Sequence, residues 1–161
     1  NVMPYMMSRP IEVAELEWIE VNFSDKVIII PKERMKCGRD HQIPMSSQVF
    51  KLLKKAESHR MNSKYVFPSP RGQGPITTRS LLLRLRRAGI KTDELTTHGF
   101  RSMASTILNE GVHIQGYSKD AIEMQLAHKD TTQRGVYNHA AYFDTRVEMM
   151  QDWADYLDKI I

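Results

Sequence analysis

Four β-branched residues in a row, Val27-Ile28-Ile29-Ile30, stand alone in a chain whose other apolar residues are mostly spaced for helices. Valine and isoleucine are stiff at χ1 and fit a pleated surface, so the run reads as a strand that Pro31 ends. After the polar stretch from Lys32 to Asp40, His41-Gln42-Ile43-Pro44 reads as a short returning strand. Pro44 cannot donate to a ladder, which places that end of the strand at a sheet edge. Around this hairpin the periodicity is helical. Ser8 to Trp18 carries Ile11, Ala14 and Trp18 on one face, with Ser8 as the expected cap. Ser46 or Ser47 caps a helix with Val49, Phe50, Leu52, Leu53 and Ala56 on its apolar face. Tyr65 to Pro68 is extended, and Ser69 to Pro75 is a Pro/Gly loop. Thr77 or Thr78 opens a helix that stops near Gly89, and Thr97 caps one from His98 to Asn109 that Gly111 ends. Ser118 starts a short helix ending at His128, and a long amphipathic helix begins at about Tyr142. Its face carries Tyr142, Arg146, Met149, Met150, Trp153, Tyr156, Leu157 and Ile160. The expected fold class is α+β, mainly helical, with one small antiparallel sheet near the N-terminus, in a single domain over residues 1–161.

The chain of 161 residues, 41% hydrophobic and 26% charged, has the composition of an ordinary globular domain with a real core. A net charge of +4 favours a polyanionic partner without naming one. The single cysteine, Cys37, excludes an internal disulfide and fits a reducing compartment. No apolar run approaches the roughly 18 residues of a membrane span, and no signal peptide is visible. A chain opening at Asn1 rather than methionine is expected to be an excised fragment.

The residues that carry chemistry form a series. His98-Gly99-Phe100-Arg101 lies upstream of His128, and Tyr137 follows nine residues later. Arginine neutralises a phosphate with a rigid fork of donors, and histidine hydrogen-bonds or moves a proton near neutral pH. Tyrosine forms a covalent intermediate once its phenol is activated. Together they point to tyrosine-based chemistry on a phosphodiester. Taken singly, each has an ordinary structural reading: a capping histidine, a solvated arginine, a half-buried tyrosine. Arg9 is followed three residues later by Glu12, a spacing that lets the carboxylate orient the guanidinium. Lys36 sits in the polar turn between the two strands, with Lys32 as its nearby competitor. The remaining histidines show no metal-ligand spacing, so neither a metal nor another cofactor is expected.

Several segments resemble the catalytic domain of the tyrosine recombinases, specifically the integrases of prophages and satellite phages. Arg9-Pro10-Ile11-Glu12-Val13 is similar to that family's first arginine box. Arg34-Met35-Lys36 with His41-Gln42-Ile43-Pro44-Met45 resembles its lysine hairpin, and Thr97-His98-Gly99-Phe100-Arg101 its His-x-x-Arg box. Leu126-Ala127-His128 resembles the Leu-Gly/Ala-His box, Val136-Tyr137-Asn138 the nucleophile segment, and Arg146 to Leu157 the closing helix of prophage integrases. The resemblance covers nearly the whole chain in family order. It implies that Arg9 and Arg101 clamp the non-bridging oxygens, with His128 donating a further hydrogen bond. Tyr137 would form a 3′-phosphotyrosyl link, His98 would help its phenol lose a proton, and Lys36 would protonate the leaving 5′-oxygen. Neither ATP nor metal is then required.

Arg79, Arg84, Arg86 and Arg87 form a basic helix beside Leu81, Leu82 and Leu85, and with Arg71 and Lys119 they are candidate backbone-phosphate contacts. The partner implied is double-stranded DNA at attachment sites, bound by a homotetramer that is a monomer when free, in the bacterial cytoplasm at the nucleoid and away from membranes. Only eight residues precede Arg9, so a further helix and the core-binding domain of the family are expected to be absent, and the fragment is expected to bind DNA weakly, with a folded but inactive fragment as an alternative. The family also implies a tyrosine segment displaced in the free protein. A type IB topoisomerase and a non-catalytic DNA-binding module are the alternatives. Docking of the last helix onto a neighbouring subunit or onto its own core stays open.

Overall fold

The computed structural model describes residues 2–70, 74–91, 95–114, 116–128 and 142–160. The β-branched run becomes β2 (Val27–Ile30), the centre of a three-stranded antiparallel sheet between β1 (Val21–Asn22) and β3 (His41–Pro44). The register pairs Ile30 with His41 and Val27 with Pro44, so Pro44 does lie on an edge strand. β1 went unread in the sequence because two residues are too few to show an alternation. Helices supply the rest: α1 (Met3–Met6), α2 (Pro10–Ala14), α3 (Ser47–Ser58), α4 (Thr78–Arg87), α5 (Gly99–Glu110), α6 (Lys119–Gln125) and α7 (Phe143–Ile160). Ser46, Thr77 and Ser118 cap α3, α4 and α6 with their hydroxyls, as expected of side chains that accept an orphan N–H.

Three helix boundaries differ from the sequence reading. The expected Ser8–Trp18 helix is only α2, and its cap is Arg9. Pro10 holds the preceding residue extended, at φ −67° and ψ 145°, so Arg9 stands outside the helix. Beyond Ala14 the chain leaves the helix because residues 16–18 pair elsewhere: Val66 N–H donates to the Leu16 carbonyl and Trp18 N–H to that of Lys64. Second, α5 is entered by Thr96, whose hydroxyl accepts from Gly99 N–H at 3.0 Å, rather than by Thr97. Third, α6 stops at Gln125 instead of running to His128, because Ala127 turns the chain with φ 46°.

The buried side chains fall into two apolar clusters. One joins the sheet to α1–α4 through Met6, Leu16, Ile28, Ile43 and Leu53. The other joins α5, α6 and α7 through Leu108, Ile122, Met149 and Trp153. The chain crosses between them at Met6-Met7 and at Leu126-Ala127. α7 docks on its own core, where Trp153 is fully buried and its Nε1 donates to the Pro4 carbonyl at 2.9 Å. No helix among the described residues is long and apolar enough to cross a membrane.

Candidate active site

The seam between the two clusters carries buried polar groups, Glu12, Arg101 and Gln125 among them. Arg9, extended before Pro10, is held twice by one carboxylate. Glu12 Oε2 accepts from Arg9 N–H at 2.8 Å and Oε1 from Nη1 at 2.7 Å. The first bond caps α2 and the second sets the plane of the guanidinium. Arg9 Nη2 then donates to the Ala127 carbonyl at 3.1 Å. Its side chain is 23% exposed, so the outer edge of the fork faces solvent.

Arg101 lies in the first turn of α5 and is 4% exposed. Its Nη1 donates to the Met7 carbonyl at 2.8 Å and its Nη2 to the Leu126 carbonyl. The two arginines therefore grip successive carbonyls, Leu126 and Ala127, at the turn that presents His128. Burial and then the charge of Arg9 pull the Arg101 pKa down to about 10, while Glu12 and Glu123 act the other way. The guanidinium stays charged at neutral pH in a setting that favours an arriving anion.

His128 is exposed at the mouth of this turn, and its Nδ1 is 2.5 Å from Glu123 Oε2. With Nδ1 paired to the carboxylate, Nε2 is the nitrogen left to meet a ligand. His98 is exposed one turn before Arg101, immediately outside α5, so the two differ in burial although three residues apart. Lys36 is exposed in the β2–β3 connection. Gly38 at φ 71° and the bond from Lys32 N–H to Asp40 Oδ1 (2.8 Å) shape that turn, and Met35 roots it in the core. Among the described residues Lys36 makes no hydrogen bond to Arg9, Arg101 or His128. Tyr137 and Arg71 lie outside the described residues.

Of the basic helix, Arg79, Arg84 and Arg87 are exposed, as is Lys119 at the start of α6. Arg86 differs: its Nη1 donates to the carbonyls of Ile90, Lys91 and Leu95 at 2.8, 2.6 and 3.0 Å. Its guanidinium organises the loop after α4 rather than standing free for a phosphate.

Four site residues escaped the sequence reading. Glu123 orients His128. His41 is buried on β3; Nε2 has no hydrogen-bond partner among the described residues, while the ring bonds the Gln125 main chain. Burial, then Arg146, Arg101 and Arg9, push its pKa down to about 3, so the ring is neutral. Gln125 and Arg146 are buried and bonded to each other. Signals existed: Arg146 sits inside an apolar helix stripe, and His41 shares the face of Ile43 by strand alternation. The described residues hold no cluster of three metal-ligating side chains. An apolar cavity of about 400 Å³, lined by Val13, Leu52, Phe67 and Leu81 among others, contains none of the residues of this cluster.

Residues 2–143 match the model of the phage integrase family. The chain is 40% identical to the prophage integrase IntZ of Escherichia coli K12, over 95% of this chain and 37% of that protein. It is also 40% identical to the integrase of Shigella phage Sf6, over 99% of this chain and 41% of the relative. The chain thus spans about two fifths of the length of these curated relatives. Among solved structures, the integrase of mycobacterium phage Brujita has a similar fold, with a TM-score of 0.69 and 14% identity over 94% of this chain and 49% of that one. XerA recombinase follows at 0.63 and 21% identity, over 92% and 52%. The Tn1549 transposon integrase, solved with circular intermediate DNA, gives 0.59 and 17% identity, over 92% and 56%. A family model covering residues 2–143, with every sequence box that suggested the family falling in order along the chain, establishes that this chain belongs to the phage integrase family of tyrosine recombinases.

Proposed function

We propose that the protein carrying this chain recombines DNA site-specifically, by cleaving and rejoining strands through a 3′-phosphotyrosyl intermediate. The observation that carries this reading is the convergence of Arg9 and Arg101 on the carbonyls of Ala127 and Leu126, directly before His128. Three donors then share one rigid platform. As tyrosine attacks, charge builds on the non-bridging oxygens. Preorganised donors aimed there are worth on the order of 10²–10³ in rate each. Arg9 and Arg101 clamp the oxygens, and His128 donates through Nε2.

Tyr137 Oη forms the bond to phosphorus, and the bond from phosphorus to the 5′-oxygen breaks. The phenol proton leaves to His98, and the leaving oxygen takes a proton from the Lys36 ammonium. Attack by a 5′-hydroxyl on the phosphotyrosine reverses the step, so bond energy is conserved without ATP. The charge of Arg9 and Arg101, together with the hydrogen bond from His128, does what a metal would do. Glu12 acts through Arg9 and Glu123 through His128. Arg79, Arg84, Arg87 and Lys119 contact backbone phosphates, and exchange of strands proceeds in a tetramer on paired attachment sites.

The test is covalent trapping on a nicked attachment-site duplex whose short 5′-fragment diffuses away after cleavage. With chelator present, the wild-type protein is expected to give a denaturant-resistant DNA adduct, and Tyr137→Phe none. Normal DNA binding with no adduct would reduce the site to a phosphate-holding module. An adduct accompanied by relaxation of supercoiled DNA without recombination would favour topoisomerase activity.

A further inference from the structure

α7 carries a guanidinium where an apolar side chain would be expected. Arg146 is 1% exposed, in line with Met149, Met150 and Trp153. Burying a charge costs several kcal/mol unless good hydrogen bonds surround it, and a well-packed methionine would often be at least as stable. Burial pulls the Arg146 pKa down to about 10, so the group remains a cation at neutral pH. The hydrogen bonds it makes are informative. Nε and Nη2 both donate to Gln125 Oε1, at 3.0 and 2.8 Å, and Nη2 also donates to the Gln42 carbonyl. Gln125 in turn reaches the Met6 carbonyl at 3.4 Å, and its own main chain is bonded by His41.

One planar fork thereby ties three elements. α7 is joined to the end of α6, three residues before His128, and to the edge strand β3. A bare strand edge presents unpaired carbonyls, and Arg146 covers this one. β3 is the returning strand of the hairpin whose turn carries Lys36. The bond of His41 to the Gln125 main chain is a second tie from β3 to α6, whereas the Lys36 side chain is itself exposed and unbonded to that cluster among the described residues.

We infer that Arg146 is a positioning residue for strand cleavage, fixing the Lys36 hairpin through the Gln42 carbonyl relative to the Arg9–Arg101–His128 platform. The inference rests on the reading above that Lys36 protonates the leaving 5′-oxygen. A lysine keeps the charge but not the fork, so Arg146→Lys loosens the hairpin while leaving the platform arginines on their own carbonyls. A displacement of about 1 Å at a reacting group costs on the order of 100-fold in rate.

The experiment compares cleavage of two substrates by the full protein carrying this chain. One is the ordinary phosphodiester. The other has sulfur in place of the bridging 5′-oxygen, and a thiolate leaves without being protonated. Arg146→Lys is expected to cleave the phosphodiester about 10- to 100-fold more slowly and the sulfur substrate at close to the wild-type rate, as Lys36→Ala does. Gln125→Met, which removes the acceptor while nearly keeping the volume, is read on the same pair, so the outcome does not depend on Arg146→Lys folding. Equal slowing on both substrates, or no slowing, while Lys36→Ala is rescued by sulfur, overturns the inference alone. A Lys36→Ala variant that sulfur does not rescue removes the proton-delivery reading and the inference with it.

Discussion

Met7 and Ala127 hold left-handed backbone, φ 54° and 46°, without being glycine, and their carbonyls are the ones that Arg101 and Arg9 take. A residue with a Cβ loses roughly 1–2 kcal/mol in this region, and such strain persists where the surroundings over-determine it. Ala127→Gly is therefore expected to raise the unfolding free energy by up to ~1 kcal/mol, the relief being partly offset by the entropy of the unfolded chain. Ala127→Val is expected to lower it by ~2 kcal/mol or more, through a β-branched side chain in the same conformation. Urea denaturation of the two variants reads both effects, and a Val variant as stable as wild type would contradict the strain. The buried imidazole of His41 gives a second residue-scale prediction. The fold keeps it neutral down to about pH 3, whereas in the unfolded chain it protonates near 6.5. Its contribution is complete above pH 6.5 and is lost as the pH falls from there toward 3, because only the unfolded state gains the proton. Wild type is expected to lose up to ~1.4 kcal/mol per pH unit more than His41→Gln over that window. Parallel pH profiles of stability would show instead that His41 titrates freely.

α2 is little more than one turn of helix, and its Glu12 fixes the direction of the Arg9 guanidinium. Its sequence is economical: Pro10 fixes the entry, and Glu12 closes the turn from inside while bonding the guanidinium. The Arg9–Glu12 spacing was legible in the sequence as an orienting pair. The helix length was not, because the apolar positions Ile11, Ala14 and Trp18 fit a longer helix until residues 16–18 paired with 64–66. Glu12→Ala is expected to cost ~1–2 kcal/mol in a thermal or urea melt, from the lost cap and the unpaired buried groups. It should also slow cleavage with little change in DNA affinity, since Arg9 remains present but unaimed. Glu12→Gln should be milder, because an amide oxygen still accepts one of the two bonds. The hairpin was legible from β-branching and Pro44, and α7 from its long apolar stripe. The purpose of Arg146 within that stripe was not, since only the packing of α7 on β3 and α6 supplies its acceptors.

Across the molecule, Arg9, Arg101 and the turn before His128 lie where the chain passes from one apolar cluster to the other, a place no local pattern announces. Arg9, Arg101 and His128 were candidates in the sequence; the seam explains why Arg9, from the N-terminal end, comes to lie beside Arg101 and His128, from the C-terminal half. The phosphate contacts proposed for the exposed arginines of α4 belong to this scale as well. Replacing Arg79, Arg84 and Arg87 by alanine is expected to weaken binding about equally for attachment-site and unrelated DNA. The salt dependence should fall by about one unit of slope per lost phosphate contact. Arg86→Ala is expected to loosen the loop after α4 and lower the melting temperature without that change in slope. Neutralisation of a scissile phosphate by Arg9 and Arg101 underlies every step proposed for this site. The most direct measurement compares cleavage of an ordinary phosphodiester with cleavage of a methylphosphonate, in which an uncharged methyl replaces one non-bridging oxygen. Arg9→Ala and Arg101→Ala should each be on the order of 10²–10³ slower than wild type on the phosphodiester, and that gap should shrink sharply on the neutral substrate for at least one of them. An undiminished gap for both variants on the methylphosphonate would mean that these arginines hold the fold together and not the charge of the phosphate.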